Sequence, residues 1–277
     1  MNLKNKLKNI PKIYYLNLDH RIDRREYMET QFDYWGISDF SRISASKYLS
    51  TEKESWQHLI LDNFIEYQTS IVANSLSHLD ILKTWLETTD EKYLFLMEDD
   101  YDLSLIEYWN FDWEYLMNHI PENWDCIQLG FENDDFIPFF LHPTYHSHGF
   151  GPCILKRKYV EKLVSLHCLG DKYKLNLYIG DKRYQKMSGT IDHLLIKSGL
   201  SYSIPLITNN PHLGSDINPY GEPRLWFEEC RDLYYNWWKN EHRYFTLEEF
   251  FTYGKKNDGD MIREIKYNKE KKKMSYA

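Results

Sequence analysis

The chain has 277 residues, of which 42% are hydrophobic and 17% aromatic, and its formal net charge is −8. This apolar content is enough for a substantial core and argues against a chain that is disordered throughout. The negative charge argues against a general nucleic-acid-binding protein, because such proteins need an excess of basic residues to neutralise phosphates.

The spacing of the cysteines and the length of the apolar segments indicate the cellular compartment of the protein. Cys126, Cys153, Cys168 and Cys230 are widely scattered and include no CxxC pair, which favours reduced thiols over a zinc site or a disulfide framework. No long apolar segment precedes Pro11, and none elsewhere reaches the ~20 residues of a membrane span. We therefore expect a soluble, cytoplasmic protein without a secretory signal or transmembrane segment. Its richness in Asn, Lys, Ile and Tyr fits a bacterial or viral genome rich in AT.

The N-terminal part of the chain predicts two strands with a helix between them. The segment "KIYYLNL" (12–18) has the aromatic content of a buried strand. A helix is predicted to follow, with Asp19 as its cap and Gly36 as its end. The segment "FSRISA" (40–45) predicts a second strand. The mixed periodicity of 47–68 indicates a loop or small excursion near a binding face.

Helices and strands continue to alternate in the middle of the chain. Helical spacing returns in "TSIVANSLSHLDILKTWLETT" (69–89), and "YLFLM" (93–97) predicts a buried strand. The segment "LIEYWNFDWEYLMNHI" (105–120) predicts one further helix that ends before a proline. The segment "WDCIQLG" (124–130) predicts another strand, which stops at its glycine.

The last part of this alternation extends to about residue 207. Segment 145–164 predicts an extended stretch, a turn, a short strand and a helix, and within it His146 and His148 are interpreted as surface histidines rather than a metal-binding pair. A short helix is predicted in "GTIDHLLIKSG" (189–199) and a strand in "LSYSIPLI" (200–207). This alternation favours an α/β fold whose sheet has helices on both faces.

The absence of repeats and of Pro- or Ser-rich linkers indicates one catalytic-type domain, at 11–222. The aromatic segment "RLWFEECRDLYYNWWKNEHRYF" opens a predicted helical extension at 223–258. We expect its helix to pack against the main body, where it could also contribute to a homo-oligomer contact. The final stretch, 259–277, is charged and predicted to be a flexible tail.

Three consecutive acids, Glu98, Asp99 and Asp100, follow the predicted strand at 93–97. In open α/β sheets, ligands bind outside the carboxyl ends of the strands. Mg²⁺ and Mn²⁺ prefer oxygen ligands and often link protein carboxylates to substrate phosphates. A metal–diphosphate site would relieve the repulsion among these acids. A solvated loop, or acids that stabilise the following helix, is the alternative.

Several motifs occur here in an order that resembles glycosyltransferase family 25, which includes bacterial lipopolysaccharide and procollagen hydroxylysine galactosyltransferases. The resemblance extends from about Ile13 to Ile217. It implies a GT-A-type fold with a mainly parallel central sheet flanked by helices, and inverting transfer of a hexose from a UDP-sugar to a glycan or protein acceptor. It also implies Mn²⁺ or Mg²⁺ as cofactor. The motifs are "NLDHRIDRR", "SLSHLDILKTW", the acidic triplet, "WDCIQLG", "HGFGPCILKRKYVEKLV" and "TIDHLLIKSG".

The resemblance also implies roles for individual residues. Asp100 corresponds to a metal ligand of the family's DxD-like element, with Glu98 and Asp99 contacting metal, ribose or sugar. His212 is a candidate further metal ligand. Asp192 is the candidate general base, for which a simple helix cap is the alternative. The implied donor-binding residues are Asn17, Arg24, Ala45, Ser77, His78, Ser215 and Asp216.

One departure from the family pattern concerns the residues before the Ser-His motif. Ala73 and Asn74 stand where family members commonly have Gly and Cys, and a glycine allows close approach of the backbone to a ligand. This difference could change which donor sugar is preferred. It also keeps open the alternative that the chain is a degenerate protein that binds sugar nucleotides with weak catalysis or none. A Mg²⁺-dependent phosphoryl-transfer enzyme is disfavoured, because the sequence has no GxxxxGK[ST] loop.

Overall fold

The computed structural model describes residues 6–61, 69–132, 139–144, 151–175, 190–217 and 223–252. The strands are β1 (Ile13–Asn17), β2 (Phe40–Ser44), β3 (Tyr93–Glu98), β4 (Tyr101–Asp102), β5 (Cys126–Gln128), β6 (His142–Pro143), β7 (Cys153–Lys156), β8 (Cys168–Leu169), β9 (Lys172–Tyr173), β10 (Ser201–Ser203) and β11 (Thr208–Asn209). The helices are α1 (Ile22–Trp35), α2 (Lys53–Trp56), α3 (Thr69–Thr88), α4 (Trp113–His119), α5 (Arg157–His167), α6 (Ile191–Lys197), α7 (Pro223–Asn236) and α8 (Leu247–Thr252).

A seven-stranded sheet with the order β2-β1-β3-β7-β5-β10-β6 forms the centre of the molecule. Strand β1 is parallel to β2 and β3, and β5 is parallel to β10. Strand β7 lies antiparallel between β3 and β5, and β6 is antiparallel to β10. Five strands therefore run in one direction, so the predicted α/β class with a mostly parallel sheet is confirmed. The carboxyl ends of β1, β3 and β5 meet at one edge of the sheet.

The two faces of the sheet carry separate cores, because successive side chains of a strand point to opposite faces. Tyr15 and Phe95 pack on one face with α1, α4 and the C-terminal helices. Tyr14 and Leu94 pack on the other face with α3, α5 and α6. The predicted placement of helices on both faces is confirmed.

Helix α1 ends as predicted but begins differently. Gly36 adopts a left-handed conformation, with φ of 69°, and terminates the helix. The prediction that Asp19 caps the helix is wrong, because Arg21 occupies the N-cap position. The Asp19 carboxylate instead accepts hydrogen bonds from Arg42 and Ser44, which hold it against β2.

The prediction of one helix over 105–120 is also wrong. The chain forms a 3₁₀ turn at Ser104–Tyr108, and α4 begins only after Asp112. The Asp112 carboxylate caps α4 by accepting a hydrogen bond of 2.8 Å from the Tyr115 N–H. The buried Lys6 ammonium donates to the Ile106 carbonyl and to two neighbouring carbonyls, which fixes the 3₁₀ turn. A side chain distant in sequence thus helps to stop the helix.

The predicted packing of the C-terminal aromatic helix on the main body is confirmed. Tyr234, Trp237 and Trp238 are at most 2% exposed and belong to the same core as Tyr15 and Phe95. The Trp238 indole N–H donates a hydrogen bond of 2.6 Å to the carbonyl of Pro205. These aromatic rings therefore pack into the core of their own chain. In the described ranges, no helix combines the length and apolarity needed to cross a bilayer.

Candidate functional site

A small pocket of about 80 Å³ lies at the carboxyl edge of the sheet. It gathers predicted residues from five separate segments: the end of β1, helix α1, the residue after β2, the end of β3 and the segment after β11. The residues that line it are Leu16, Asn17, Leu18, Arg24, Ala45, Asn74, Glu98, Asp99, Asp100, Ser215, Asp216 and Ile217.

A larger pocket, of about 520 Å³, adjoins the acidic one. The two pockets share five lining residues, including Ala45, Asn74 and Asp216, so they are parts of one cleft. Tyr48 and the predicted Ser77 line the larger part. The Ser77 hydroxyl donates 3.0 Å to the Ala73 carbonyl within α3.

Asp99 is buried and both of its oxygens are engaged. It is 5% exposed, and it accepts hydrogen bonds of 2.7 Å from the Arg24 guanidinium and from the Asn17 amide. Arg24 is equally buried, so the two charges form an ion pair inside the protein. Asn17 and Arg24 were predicted to bind the donor and Asp99 to contact metal, ribose or sugar. In this structure the three bind one another and support the neighbouring acids.

Glu98 and Asp100 are the acids that face the cleft. Their side chains are 18% and 26% exposed. Burial, followed by the charge of Asp100, raises the pKa of Glu98 well above its usual range. Burial also raises the pKa of Asp100, and nearby Arg24 opposes this rise. The Asn74 amide donates 3.0 Å to Glu98, so the residue that departs from the family pattern orients one of the two acids.

His78 lies beneath Glu98 and is fully buried. Its Nδ1 is 3.0 Å from the carbonyl of Asn74, so we assign the ring proton to Nδ1. Its Nε2 is 3.6 Å from the Glu98 carboxylate. Burial lowers the pKa of His78 to about 4, which makes the ring neutral at pH 7. At 3.6 Å, the approach of this neutral ring to Glu98 is a packing contact rather than a hydrogen bond or an ion pair.

Two arginines hold the segment that carries Ser215 and Asp216 against the cleft. Arg21 donates to the Asp216 carboxylate and to the carbonyl of Leu213. Arg24 donates 2.7 Å to the carbonyl of Gly214, whose φ of 74° is left-handed. Sequence reasoning missed Arg21. Its position just before α1, beside the predicted Arg24, was the available signal.

The one histidine predicted as a metal ligand, His212, is not brought into the cleft. His212 is exposed in a 3₁₀ turn, and its backbone N–H donates 3.1 Å to the Asn210 side chain. It lines neither of the two pockets. His146 and His148 lie outside the described residues. Across the described part of the chain, no group of three or more His, Cys, Asp or Glu side chains is arranged to hold a metal ion.

Two further carboxyls lie beside the acids. Asp192 is in the first turn of α6, whose N-cap is Thr190. Burial raises the pKa of Asp192 to about 7. Glu132 follows the end of β5, and burial together with the charges of Asp192 and Asp100 raises its pKa to about 8. Sequence reasoning missed Glu132, although β5 was predicted to end nearby.

The acid set fits a hard divalent cation that also binds a ligand. Glu98 and Asp100 supply two carboxylates, and a cation would offset both the burial and the repulsion from Asp100 that raise the pKa of Glu98. Mg²⁺-type sites commonly use one or two protein carboxylates and complete their coordination with substrate phosphates and water. Glu98 and Asp100 are therefore the residues that would hold the metal.

The comparisons with known proteins give distant structural similarities but no match by sequence. No family model matches the chain, and no curated protein matches it. Among solved structures it is similar to protein A197 from STIV, with 10% identity and a TM-score of 0.37, over 72% of this chain and 84% of that one. It is also similar to the inositol-1-phosphate CTP transferase from T. maritima, with 10% identity and a TM-score of 0.37, over 80% and 96% of the two chains. Likenesses this distant carry no argument about function.

Proposed function

We propose that the chain is a metal-dependent, inverting glycosyltransferase of GT-A type. It transfers a galactose- or glucose-type hexose from a UDP-sugar to a hydroxyl of a glycan or protein acceptor. The observation that carries the proposal is the convergence of Asn17, Ala45, Glu98, Asp100 and Asp216 on one cleft. These residues were chosen from a family resemblance, and they come from segments as far apart in sequence as positions 17 and 216.

The two parts of the cleft match the two parts of a UDP-sugar. The larger pocket, beside Tyr48 and Ala73, is of a size for a nucleoside, and the acidic pocket is suited to a diphosphate and its cation. A bound Mn²⁺ would supply Lewis-acid stabilisation of the charge on the leaving diphosphate. Asn17 and Arg24 keep Asp99 paired, which fixes the turn that presents Glu98 and Asp100.

Asp192 supplies the base for the acceptor. A general base works best when its pKa lies near the working pH, and burial raises the pKa of Asp192 to about 7. Its carboxylate takes the proton of the acceptor hydroxyl as that oxygen attacks the anomeric carbon from the face opposite the diphosphate. A single displacement of this kind inverts the configuration.

The test is release of UDP from UDP-glucose and UDP-galactose, measured with Mn²⁺ and with EDTA. We expect Mn²⁺-dependent release by the wild-type protein. Asp100→Asn should abolish it by weakening metal binding, and Asp192→Asn should lower turnover without changing donor affinity. Asp39→Asn is the charge-matched control, since Asp39 is 71% exposed and remote from the cleft. Equal loss of donor affinity in the Asp100 and Asp192 variants would contradict the assigned roles.

The second candidate is a degenerate protein that binds sugar nucleotides without turnover. The observation in its favour is the hydrogen bond of 3.0 Å from Asn74 to Glu98, which orients this acid from within the protein. Calorimetric binding of UDP-sugars, with no UDP released from either donor, would support this candidate over the transferase.

A further inference from the structure

Tyr48 stands between the larger pocket of the cleft and a further pocket. This further pocket has a volume of about 330 Å³ and is lined mainly by residues of strand β2 and helix α3. Tyr48 and Ser77 line both this pocket and the larger one of about 520 Å³. The Tyr48 ring is therefore part of the wall that the two pockets share, and its position affects the shape of both.

Tyr48 also supplies the aromatic surface of the larger pocket. Among the described residues that line this pocket, it is the only tyrosine, phenylalanine or tryptophan. Ala45, Leu49 and Ala73 add apolar surface to the same pocket. Aromatic side chains stack on the flat faces of nucleic-acid bases, and such stacking tolerates different bases because each has a π-face. The larger pocket thus offers one surface on which a planar base can stack.

The hydroxyl of Tyr48 is anchored by Asp80, a residue of α3. It donates a hydrogen bond of 2.9 Å to one carboxylate oxygen of Asp80. The other oxygen of Asp80 accepts a hydrogen bond from the hydroxyl of Tyr173, in β9. The Lys47 ammonium pairs with Asp80 and lies 4.9 Å from the centre of the Tyr48 ring. Asp80 therefore ties Tyr48 to two separate elements, α3 and β9.

The main chain on either side of Tyr48 is held independently of Asp80. The Ala45 N–H donates 2.9 Å to the carbonyl of Asn17, at the end of β1. The Leu61 N–H donates 2.9 Å to the carbonyl of Tyr173, which is 3% exposed. The Tyr173 ring meets the Tyr48 ring edge to face, at 82° and 6.4 Å between centroids. The contact with Asp80 therefore acts on the Tyr48 side chain more than on the course of the segment that carries it.

We propose that the base of the donor nucleotide stacks on Tyr48, and that Asp80 is a positioning residue that holds Tyr48 for this contact. The inference rests on the proposed UDP-sugar cleft and names the residues that recognise the base. A ring that is already held in place does not have to be ordered when the ligand binds, so less of the binding free energy is lost.

The stacking is tested by comparing UDP with 5,6-dihydro-UDP, whose saturated base is no longer flat. Isothermal titration calorimetry in Mn²⁺ measures both affinities. We expect the wild-type protein to bind UDP at least about fivefold more tightly, which is the lower end of what one aromatic side chain contributes per base. Tyr48→Ala should bind the two ligands equally. A preference for UDP that persists in Tyr48→Ala would overturn the stacking.

The positioning role is tested with Asp80→Ala, Tyr48→Phe and the double variant. Each single substitution should weaken UDP binding about 2- to 10-fold, because the released ring must be ordered on binding. The double variant should bind UDP no more weakly than the weaker single variant, because both substitutions break the same contact. Tyr15→Phe is the matched control. It removes a hydrogen bond of 2.8 Å from a buried tyrosine to Glu29, on the opposite face of the sheet, and should leave UDP affinity unchanged. Additive losses in the double variant would overturn the positioning role.

Inorganic pyrophosphate with Mn²⁺ distinguishes positioning from a general loss of structure. Pyrophosphate has the two phosphates of UDP but no base. Its affinity should therefore be the same in the wild-type protein, Tyr48→Ala, Tyr48→Phe and Asp80→Ala. If these variants weaken the binding of pyrophosphate as much as that of UDP, they disturb the whole cleft, and the inference is overturned.

The stacking and the proposed transfer fail in different ways. If the wild-type protein binds UDP but releases none from UDP-galactose or UDP-glucose, the transfer is overturned, and the affinities above still decide the stacking. If it binds UDP no more tightly than pyrophosphate, the stacking is overturned, and the site for a cation and a diphosphate stands. If it binds neither ligand, both proposals are overturned.

Discussion

The three adjacent acids have two different environments in this site. Asp99 is paired with Arg24 at 2.7 Å, whereas Glu98 and Asp100 face the cleft and have raised pKa values. A cation at this edge would compensate Glu98 and Asp100. Asp99 needs no such compensation, because its partner is already inside the protein.

The buried pair predicts a large cost for removing Arg24. Arg24→Met leaves Asp99 without its cation in a site where both side chains are 6% exposed, so we expect a loss of about 3–5 kcal/mol in the free energy of unfolding. Lys12→Met is the control. Lys12 is 3.9 Å from the exposed Asp39, and its loss should cost less than about 1 kcal/mol. Urea denaturation measures both. If Arg24→Met and Lys12→Met lower the free energy of unfolding equally, the ion pair between Arg24 and Asp99 does not stabilise the fold as described.

The raised pKa of Asp192 predicts how stability varies with pH. Its folded-state pKa of about 7 lies above its ordinary value of 3.8, so the folded protein holds a proton that the unfolded chain releases between these values. Asp192 therefore lowers stability progressively as pH rises from about 4 to 7. Asp192→Asn should stabilise the protein at pH 8, by on the order of 2 kcal/mol, and have no such effect at pH 3. A gain that is the same at both pH values would contradict this assignment.

The same group predicts the pH dependence of turnover. As a base, Asp192 must be deprotonated, so UDP release should rise as pH increases through about 7 and level off above it. Profiles of kcat between pH 5.5 and 8.5 measure this rise. A turnover rate that falls over the same range would remove Asp192 from the role of base.

The sequence could predict some of the site residues and not others. Glu98 and Asp100 follow directly from an apolar strand that ends in acids. The pairing of Arg24 with Asp99 joins residues 75 positions apart, so no local pattern marks it.

At the scale of elements, α4 depends on its cap. Asp112→Ala removes the acceptor for the Tyr115 N–H and should cost about 0.5–2 kcal/mol, whereas Asp112→Asn retains an acceptor and should cost less. Thermal unfolding monitored by circular dichroism measures both variants. If the alanine and asparagine variants are equally stable, the cap does not stabilise the helix.

The strands and the long helices were predictable because their periodicity is strong. Strand β3 and helix α3 appear close to the predicted positions, and Gly36 ends α1 as expected. The antiparallel direction of β7 was not predictable, because strand direction depends on tertiary connections rather than on side-chain pattern. The break before α4 was missed because it depends on Lys6, which donates to the Ile106 carbonyl from 100 positions away in sequence. Asp112 adds a local cap that starts the helix later.

At the scale of the whole molecule, the C-terminal helices complete the main core. Ending the chain at residue 222 would remove Tyr234, Trp237 and Trp238 and expose the apolar face that they cover. We expect this truncated protein to lack a cooperative thermal transition and to aggregate. If the truncated protein is instead monomeric and unfolds cooperatively, residues 11–222 form a domain of their own, as the predicted boundary at 222/223 requires.

The central claim is that Glu98 and Asp100, at the end of β3, and the adjoining pocket form one site for a divalent cation and a uridine diphosphate. Isothermal titration calorimetry with UDP, in Mn²⁺ and in EDTA, tests it most directly. We predict that Mn²⁺ strengthens UDP binding by at least about tenfold, or about 1.4 kcal/mol. This gain should disappear in Asp100→Asn and persist in Asp39→Asn. A UDP affinity that is the same with and without Mn²⁺, and the same in Asp100→Asn, would contradict the account.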